Sequence, residues 1–389
     1  KINPWTLATI LLCVIFLGPI VAVFIAATGD SGDLWTHLFE TVLPRYVSNT
    51  LILMAGVAVF SLLFGVPTAW IVTRYEFPFR RLIEWMLLLP AAVPAYLIAY
   101  TYTDFLEYAG PVQGALRNLF GWESARDYWF PEIRSMGGAM LVMGAVLYPY
   151  VYMMARSAFI LTPASLYEVG QLYKRDLFRN VALPLARPAI VAGLALAMME
   201  TISDFGTVEY FAVETLTLGI FNVWLGMNSL SAAAQISCIA FIFIIVFIVL
   251  EKMARQHRRY NDTSRRTVSL RPEKRGGLGG VTCLIICATP IAIGFIIPVA
   301  VLLNFVLQGH SLALSGAFVS AAFNTLLLSA TVAILVICTA AFMVLVFTYQ
   351  GGRKLRLLVG LASIGYAFPG TILAIGVVTA GGAVDSGVA

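Results

Sequence analysis

The sequence predicts an all-α, polytopic membrane protein built as two tandem units, and three observations carry that prediction. Sixty per cent of the 389 residues are hydrophobic and only 12% are charged, about half the charged fraction of a soluble domain. Apolar runs approaching the roughly 20 residues that cross a bilayer recur along the chain. A repeat in unbroken register links the two ends at an offset of 275 residues.

Nine candidate spans follow in order: Leu7–Ala27, Thr50–Thr73, Leu82–Thr103, Met136–Met154, Ala189–Ser203, Ala232–Leu250, Val281–Leu307, Thr325–Thr348 and Leu357–Gly376. The first is too long for a cleaved signal core and lacks a small-residue cleavage pattern, so it reads as a retained span. The fifth is short, and neighbouring helices are expected to cover its ends. The chain starts at Lys1 instead of Met, so residues are expected to precede it.

Basic residues set the orientation, because they collect on the cytoplasmic side of short loops. With Lys1 inside, 21 of the 25 Lys and Arg fall in cytoplasmic segments, and only Arg45, Arg117, Arg126 and Arg134 fall outside. The N-terminus is therefore expected in the cytoplasm. The net charge of +5 is concentrated in Arg255–Arg275, which reads as a basic linker suited to anionic lipid heads; no nucleic acid is needed to explain it. Cys13, Cys238, Cys283, Cys287 and Cys338 lie in apolar runs and read as packing residues. His37, His257 and His310 are scattered without ligand spacing.

The repeat places Asn49-Thr50-Leu51 on Asn324-Thr325-Leu326, Arg81-Leu82 on Arg356-Leu357, and Ala92-x-Pro94 on Ala367-x-Pro369. Internal repeats are common in transport proteins, with the pathway at their interface. The expected division is a first unit at 1–250, a basic linker at 251–276 and a second unit at 277–389. The second unit stops before any counterpart of Tyr167–Ile190, so it is expected to be incomplete here.

That stretch, YEVGQLYKRDLFRNVALPLARPAI, is a charged segment between apolar runs. It resembles the coupling loop, or EAA motif, of importers driven by a separate ATPase. Glu168, Val169 and Gly170 hold the E-A-A positions, and Val181 to Pro184 hold the I-x-L-P. Lys174 stands where that motif has glycine, and the Glu168-to-Pro184 spacing is three residues short, which predicts residues missing around Tyr173–Asp176. The expected loop at 163–187 contains an amphipathic helix from Ser165 to Val181, presenting Leu172, Leu177 and Phe178 to a partner groove. Pro184, after Leu183, is expected to stop that helix, and Arg187-Pro188 to restart the chain.

The stretch Met198–Gln235, with METISDFGTVEYF at its head, resembles bacterial ferric-iron importer permeases, which fuse two permease modules in one polypeptide. The resemblance implies about nine of twelve transmembrane helices, in the bacterial inner membrane. It also implies two copies of a cytoplasmic ATP-binding subunit and a periplasmic Fe(III)-binding protein as partners. No cofactor is expected on this chain, since ATP and Mg would sit on the partner subunit and no phosphate-binding loop motif is present.

Glu200 and Asp204 fall one helical turn apart near the outer end of the fifth span, with Glu209 and Glu214 following. Carboxylate oxygens suit a hard cation such as Fe(III), and ionisable residues at membrane depth usually face a cavity or partner. These four are the candidate substrate route. The alternatives are that Asp204 caps the D-F-G-T turn, and that Glu209 and Glu214 are solvated or meet the binding protein. The tyrosines of Leu147–Met154 and Pro94–Phe105 read as interface anchors. Other cargoes remain open (polyamine, sulfate, thiamine, sugar phosphate), as do an ion-coupled transporter and a membrane enzyme.

Overall fold

The computed structural model describes residues 4–256, 272–308, 316–350, 352–362 and 370–388. Most of the basic linker, Lys1 and the second A-x-P turn at Ala367–Pro369 lie outside the described residues. The chain is an all-α polytopic membrane protein, as its hydropathy requires, because a lipid-exposed backbone must satisfy its own hydrogen bonds. Among the described residues seven helices are long and apolar enough to cross a bilayer, or eight if one bent pair counts as a span.

Helix α1 (Pro4–Ala27) and the short α2 (Asp33–Thr41) lead into α3 (Leu43–Arg74), which is longer than its apolar core because Leu43 and Tyr46 are also buried. After a short strand β1 (Tyr75–Glu76) come α4 (Arg80–Met86), a 3-10 turn at Leu89–Ala92 and α5 (Ala95–Leu106). The expected third span, Leu82–Thr103, is therefore corrected: it is two pieces bent by 92°. Pro90 and Pro94 lack N–H donors, and each restricts the residue before it. Helix α6 (Pro111–Phe120) completes the outgoing arm.

Helix α7 (Met136–Leu161) is the centre of the bundle, with its N-terminus capped by Ser135 Oγ, which accepts from Gly138 N at 3.2 Å. Helix α8 (Ala164–Leu172) follows, and then a π turn (Phe178–Ala182) runs directly into α9 (Leu183–Ser203). The fifth span is thus Phe178–Ser203, 26 residues, and not the short Ala189–Ser203. Pro184 does not stop a helix: it stands where the π turn passes into α9, so the wider turn takes up a residue that has no N–H to donate. Short helices α10 (Gly206–Tyr210) and α11 (Leu216–Phe221) and a π turn at Asn222–Gly226 precede α12 (Leu230–Gln256).

Strand β2 (Glu273–Lys274) pairs in parallel with β1, so the end of the linker is fastened to the end of α3. The pairing is reinforced by Arg275 N donating to Glu76 O at 2.9 Å and by an Arg74–Glu273 ion pair at 3.3 Å. Then α13 (Gly277–Ile291), a π turn at Ala292–Ile296 and α14 (Ile297–Leu307) make one span; α15 (Gly316–Gln350), α16 (Arg353–Ala362) and α17 (Gly370–Val388) end the described chain. The ninth expected span, Leu357–Gly376, is not a single described helix, since α16 ends inside it and α17 begins inside it.

Helix α7 is packed between α3 and α9, and α12 adds to α9 while α1 meets α12 and α17. Without a hydrophobic driving force in lipid, close backbone approach between small residues holds such bundles. Gly193 shows it: a Cβ there would lie 2.7 Å from Tyr150 O and 3.0 Å from Val151 Cα. These are backbone atoms that cannot step aside. Gly193→Val is expected to cost about 2–3 kcal/mol by overpacking, measured as loss of thermal stability and membrane yield of the purified protein.

Candidate functional site

The bundle carries two candidate regions at different depths. Helix α7 spans about 39 Å at 1.5 Å per residue, and α8 follows its C-terminal end. Helix α9 returns antiparallel, so Glu200 and Asp204 lie toward the opposite end.

The expected continuous helix Ser165–Val181 is broken at Tyr173. Lys174 N donates to Gln171 O at 2.9 Å and Arg175 N to Gly170 O at 3.0 Å, the paired bonds of a Schellman end with Lys174 in the left-handed position at φ +52°. Glycine usually takes that position, and here a lysine takes it. Asp176 restarts the chain: its Oδ1 accepts from Phe178 N at 2.9 Å and Arg179 N at 3.1 Å, the role of an N-cap. The turn between Tyr173 and Asp176 closes with the residues present. Lys174→Gly is expected to stabilise the protein by about 0.5–1 kcal/mol, because the left-handed strain exceeds the extra backbone entropy of glycine; thermal unfolding checks it.

The break also decides which side chains face out. Tyr167 and Gly170 are buried, with Tyr167 6.2 Å from Trp70 by ring centroids. A Cβ at Gly170 would meet Leu177 Cδ2 at 2.9 Å and Val181 Cγ2 at 3.0 Å, so this glycine lets α8 lie against the following turn. Phe178 packs on Trp70 at 5.5 Å, and Leu177 is half-buried in the same cluster. Leu177 and Phe178 therefore seat the loop on the bundle and do not share the outer face of α8, because the chain turns at Lys174. The exposed apolar stripe is instead Leu166, Val169, Leu172 and Tyr173, with Leu172 81% exposed. Glu168 is exposed beside it, while Leu183 and Pro184 are half-buried at the start of α9.

A cavity of about 220 Å³ opens at the break between the 3-10 turn and α5. It is lined by Pro94, Tyr96, Leu147, Tyr150, Glu200 and Asp204 among others. The structure brings Glu200 and Asp204 together here, and among the described residues no Lys or Arg lines the cavity. Asp204 also caps the D-F-G-T turn: its Oδ1 accepts from Thr207 N at 2.8 Å and its Oδ2 from Thr207 Oγ1 at 3.0 Å. Burial pushes its carboxyl above the usual range, opposed by the hydrogen bonds from Thr207 and Val208. Tyr96 and Tyr150, read from sequence as interface anchors, line this cavity. Among the described residues no three His, Cys, Asp or Glu gather into a metal-holding group.

Glu209 and Glu214 are not in that cavity. Glu209 is exposed on α10, and Glu214 is ion-paired with Arg45 at 2.5 Å. Arg134 donates to Tyr210 O at 3.1 Å. The stretch after Asp204 lacks basic residues in sequence, yet Arg45 and Arg134 supply them from elsewhere in the chain. A separate cleft of about 670 Å³, lined by Glu107, Tyr128, Trp129, Glu132 and Arg134 among others, lies in the connection between α6 and α7. Its Tyr128 is held in a stack with Trp122 and Phe120, at 4.7 Å from Tyr128 to Trp122 and 4.8 Å from Trp122 to Phe120.

A family profile described as a binding-protein-dependent transport system inner membrane component matches residues 61–259, from the middle of α3 through α12. The chain is 26% identical over 257 residues to the molybdate/tungstate transport system permease protein WtpB of Methanocaldococcus jannaschii, covering 64% of this chain and 97% of that one. It is 26% identical to the sulfate transport system permease protein CysT of Salmonella typhimurium, over 51% of this chain and 70% of that one. It is also 26% identical to the putative 2-aminoethylphosphonate transport system permease protein PhnU of Salmonella paratyphi A, over 64% and 90%. A bacterial alginate ABC transporter, crystallised in complex with an alginate pentasaccharide-bound periplasmic protein, shares the fold with a TM-score of 0.52 at 17% identity, over 65% of this chain and 93% of that one. The similarity therefore reaches transport permeases generally; the cargoes in the relatives' names are anions or an aminophosphonate, not ferric iron.

Proposed function

From the premise that this chain belongs to the family of binding-protein-dependent transport system inner membrane components, we propose that it is the membrane-spanning permease of an ATP-driven importer that carries ferric iron into the cytoplasm. The observation that carries the coupling role is the exposed stripe of Leu166, Val169, Leu172 and Tyr173 on α8. An amphipathic helix with its outer face apolar suits a partner groove, and the partner is a cytoplasmic ATP-binding subunit in two copies that holds the ATP and Mg. The N-terminus lies in the cytoplasm, by the distribution of basic residues. The first permease module is 1–250, the linker 251–276 and the second module 277–389. A periplasmic binding protein delivers cargo to the end of the bundle that bears the acidic pair.

The cargo reading rests on the cavity at Glu200 and Asp204, which offers two carboxylates, two phenols and no cationic side chain. Oxygen donors of this kind suit a hard cation passing as substrate. ATP-driven closure of the partner subunits would move α8, and α9 connects α8's end of the bundle to the acidic pair without a break. A second reading, an oxyanion cargo, is favoured by the relatives' names and by one observation: the N-terminal residues Ala95 and Tyr96 of α5 line the same cavity, where a helix dipole is positive.

The test is to purify the complete transporter with its native partners and measure ATP-dependent uptake into proteoliposomes of radiolabelled Fe(III), molybdate and sulfate, each with the matching binding protein. Iron uptake alone supports the proposal. Recovery of the transporter without any ATP-binding subunit would remove the importer reading, and uptake of the oxyanions alone would replace the cargo.

A further inference from the structure

At the α8 end of the bundle a cavity of about 150 Å³ is lined by Trp70, Arg74, Arg80, Arg156, Phe159 and Tyr167 among others. Three arginines thus line one small space, and Arg156 also reaches Glu84 in the neighbouring cavity. Their neutralisation is incomplete. Arg74, with its side chain 10% exposed, pairs with Glu273 at 3.3 Å, and Glu273 is shared with Arg275 at 3.5 Å. Arg156 pairs with Glu84, yet its Nε is buried with no hydrogen-bond partner among the described residues. Arg80 donates through Nε to Val72 O at 2.7 Å and has no carboxylate partner among the described residues.

Guanidinium groups stay charged at any physiological pH and carry five donors each. Gathering three of them in a partly desolvated space is unfavourable unless an anion completes the set. Among the described residues Glu84 and Glu273 supply two charges against three, and Arg275 adds a fourth positive charge beside Glu273. The missing partner must be anionic, compact and rich in acceptors. A tetrahedral phosphate meets all three conditions, because its oxygens accept forked pairs from several Arg at once. The volume is below the roughly 300–1,000 Å³ of sites that enclose a drug-sized ligand, so the phosphate group enters while the rest of a larger molecule stays outside. The walls of Trp70 and Phe159, with Ile160 40% exposed, offer apolar surface to whatever the phosphate is attached to.

We propose that this cavity is a phosphate-anion site, with Arg80 and Arg156 as its principal donors and Arg74 as the third. Two sources share that chemistry: the headgroup of an anionic phospholipid, which basic pockets between membrane helices are suited to bind, and free inorganic phosphate. Tyr167 of α8 and Phe178 of the following turn both pack on Trp70, with Phe159 against Phe178, so the anion would sit directly behind that helix.

The test uses the purified complete transporter after detergent stripping of lipid. Phosphatidylglycerol and phosphatidylcholine are titrated separately and followed by native mass spectrometry, and radiolabelled orthophosphate binding is followed by equilibrium dialysis. Arg80→Gln keeps a donor for Val72 O while removing the charge, and Arg81→Gln, at an exposed neighbour outside the cavity, is the control. Saturable binding of phosphatidylglycerol, weakened about tenfold or more by Arg80→Gln and unchanged by Arg81→Gln, supports the site with lipid as its source. The same dependence for orthophosphate supports it with a soluble source. Failure of both to bind, or equal binding to wild type and Arg80→Gln, overturns the proposal. If Arg80→Gln does not yield folded protein, Arg80→Lys takes its place with a smaller expected loss, since a single ammonium cannot fork, and equal binding again overturns it. This readout needs neither cargo nor ATP, so its failure and failure of the transport reading are separate results.

Discussion

Leu172→Asp is expected to leave the protein folded and to abolish ATP-driven transport. Leu172 is 81% exposed on α8, and a surface change of this kind shifts stability by only about 0.5 kcal/mol. Against a partner groove the same change buries an unpaired carboxylate in an apolar contact. Central interface positions of this type are worth about 2–4 kcal/mol, or roughly 30- to 1,000-fold in affinity. The measurement is co-purification of the ATP-binding subunit together with uptake, beside a thermal unfolding curve of the variant. Normal uptake by Leu172→Asp would take α8 out of the coupling role. Phe178→Ala offers the contrast: it packs on Trp70 and Phe159, so it should act through the seating of the loop and lower the unfolding temperature as well.

The second large effect separates the two cargo readings. Glu200→Gln combined with Asp204→Asn removes both charges from the cavity while keeping side-chain shape. Asn at 204 retains an oxygen to accept from Thr207 N, so the turn that Asp204 caps is preserved. For a cationic cargo each lost charge-assisted contact is worth about 1.5–3 kcal/mol, and uptake of Fe(III) should fall by about a hundredfold or more. For an oxyanion the same removal takes away repulsion, and uptake should hold or rise. Uptake of Fe(III) unchanged in the double variant would remove the pair from the route.

How far the sequence could be read depended on the range of each interaction. Membrane spans and the α8 segment were legible because hydropathy, prolines and the E-A-A spacing are local signals. The break between Leu89 and Ala95 was hidden from hydropathy, since every residue there is apolar, although Pro90 and Pro94 marked it for a reader of backbone constraints. Leu172 faces outward as its position predicts, whereas Leu177 and Phe178 part from it because Lys174 takes a left-handed conformation, which a lysine does not advertise. Pairing of Glu214 with Arg45 joins residues that no sequence window contains, so the acidic character after Asp204 looked stronger than it is. The three arginines at positions 74, 80 and 156 meet only because α3, α4 and α7 fold together, and nothing in their spacing announces it.

The π turn at Phe178–Ala182 acts as a phase setting between the two regions. One residue advances an α-helix by about 100°, so deleting a residue from this turn would let the hydrogen-bond ladder close as ordinary helix while offsetting its two sides by that angle. The backbone contact at Gly193 fixes α9 against α7, so Leu177 and Phe178, at the start of that turn, would take up the rotation, while the irregular stretch Tyr173–Asp176 keeps α8 itself outside the ladder. Phe178 would leave its place beside Trp70, and Leu177 its place against Gly170. The seat beneath the apolar stripe is thus governed by a residue count in a segment that contributes nothing to the stripe, and a one-residue deletion there should lower both the unfolding temperature and transport.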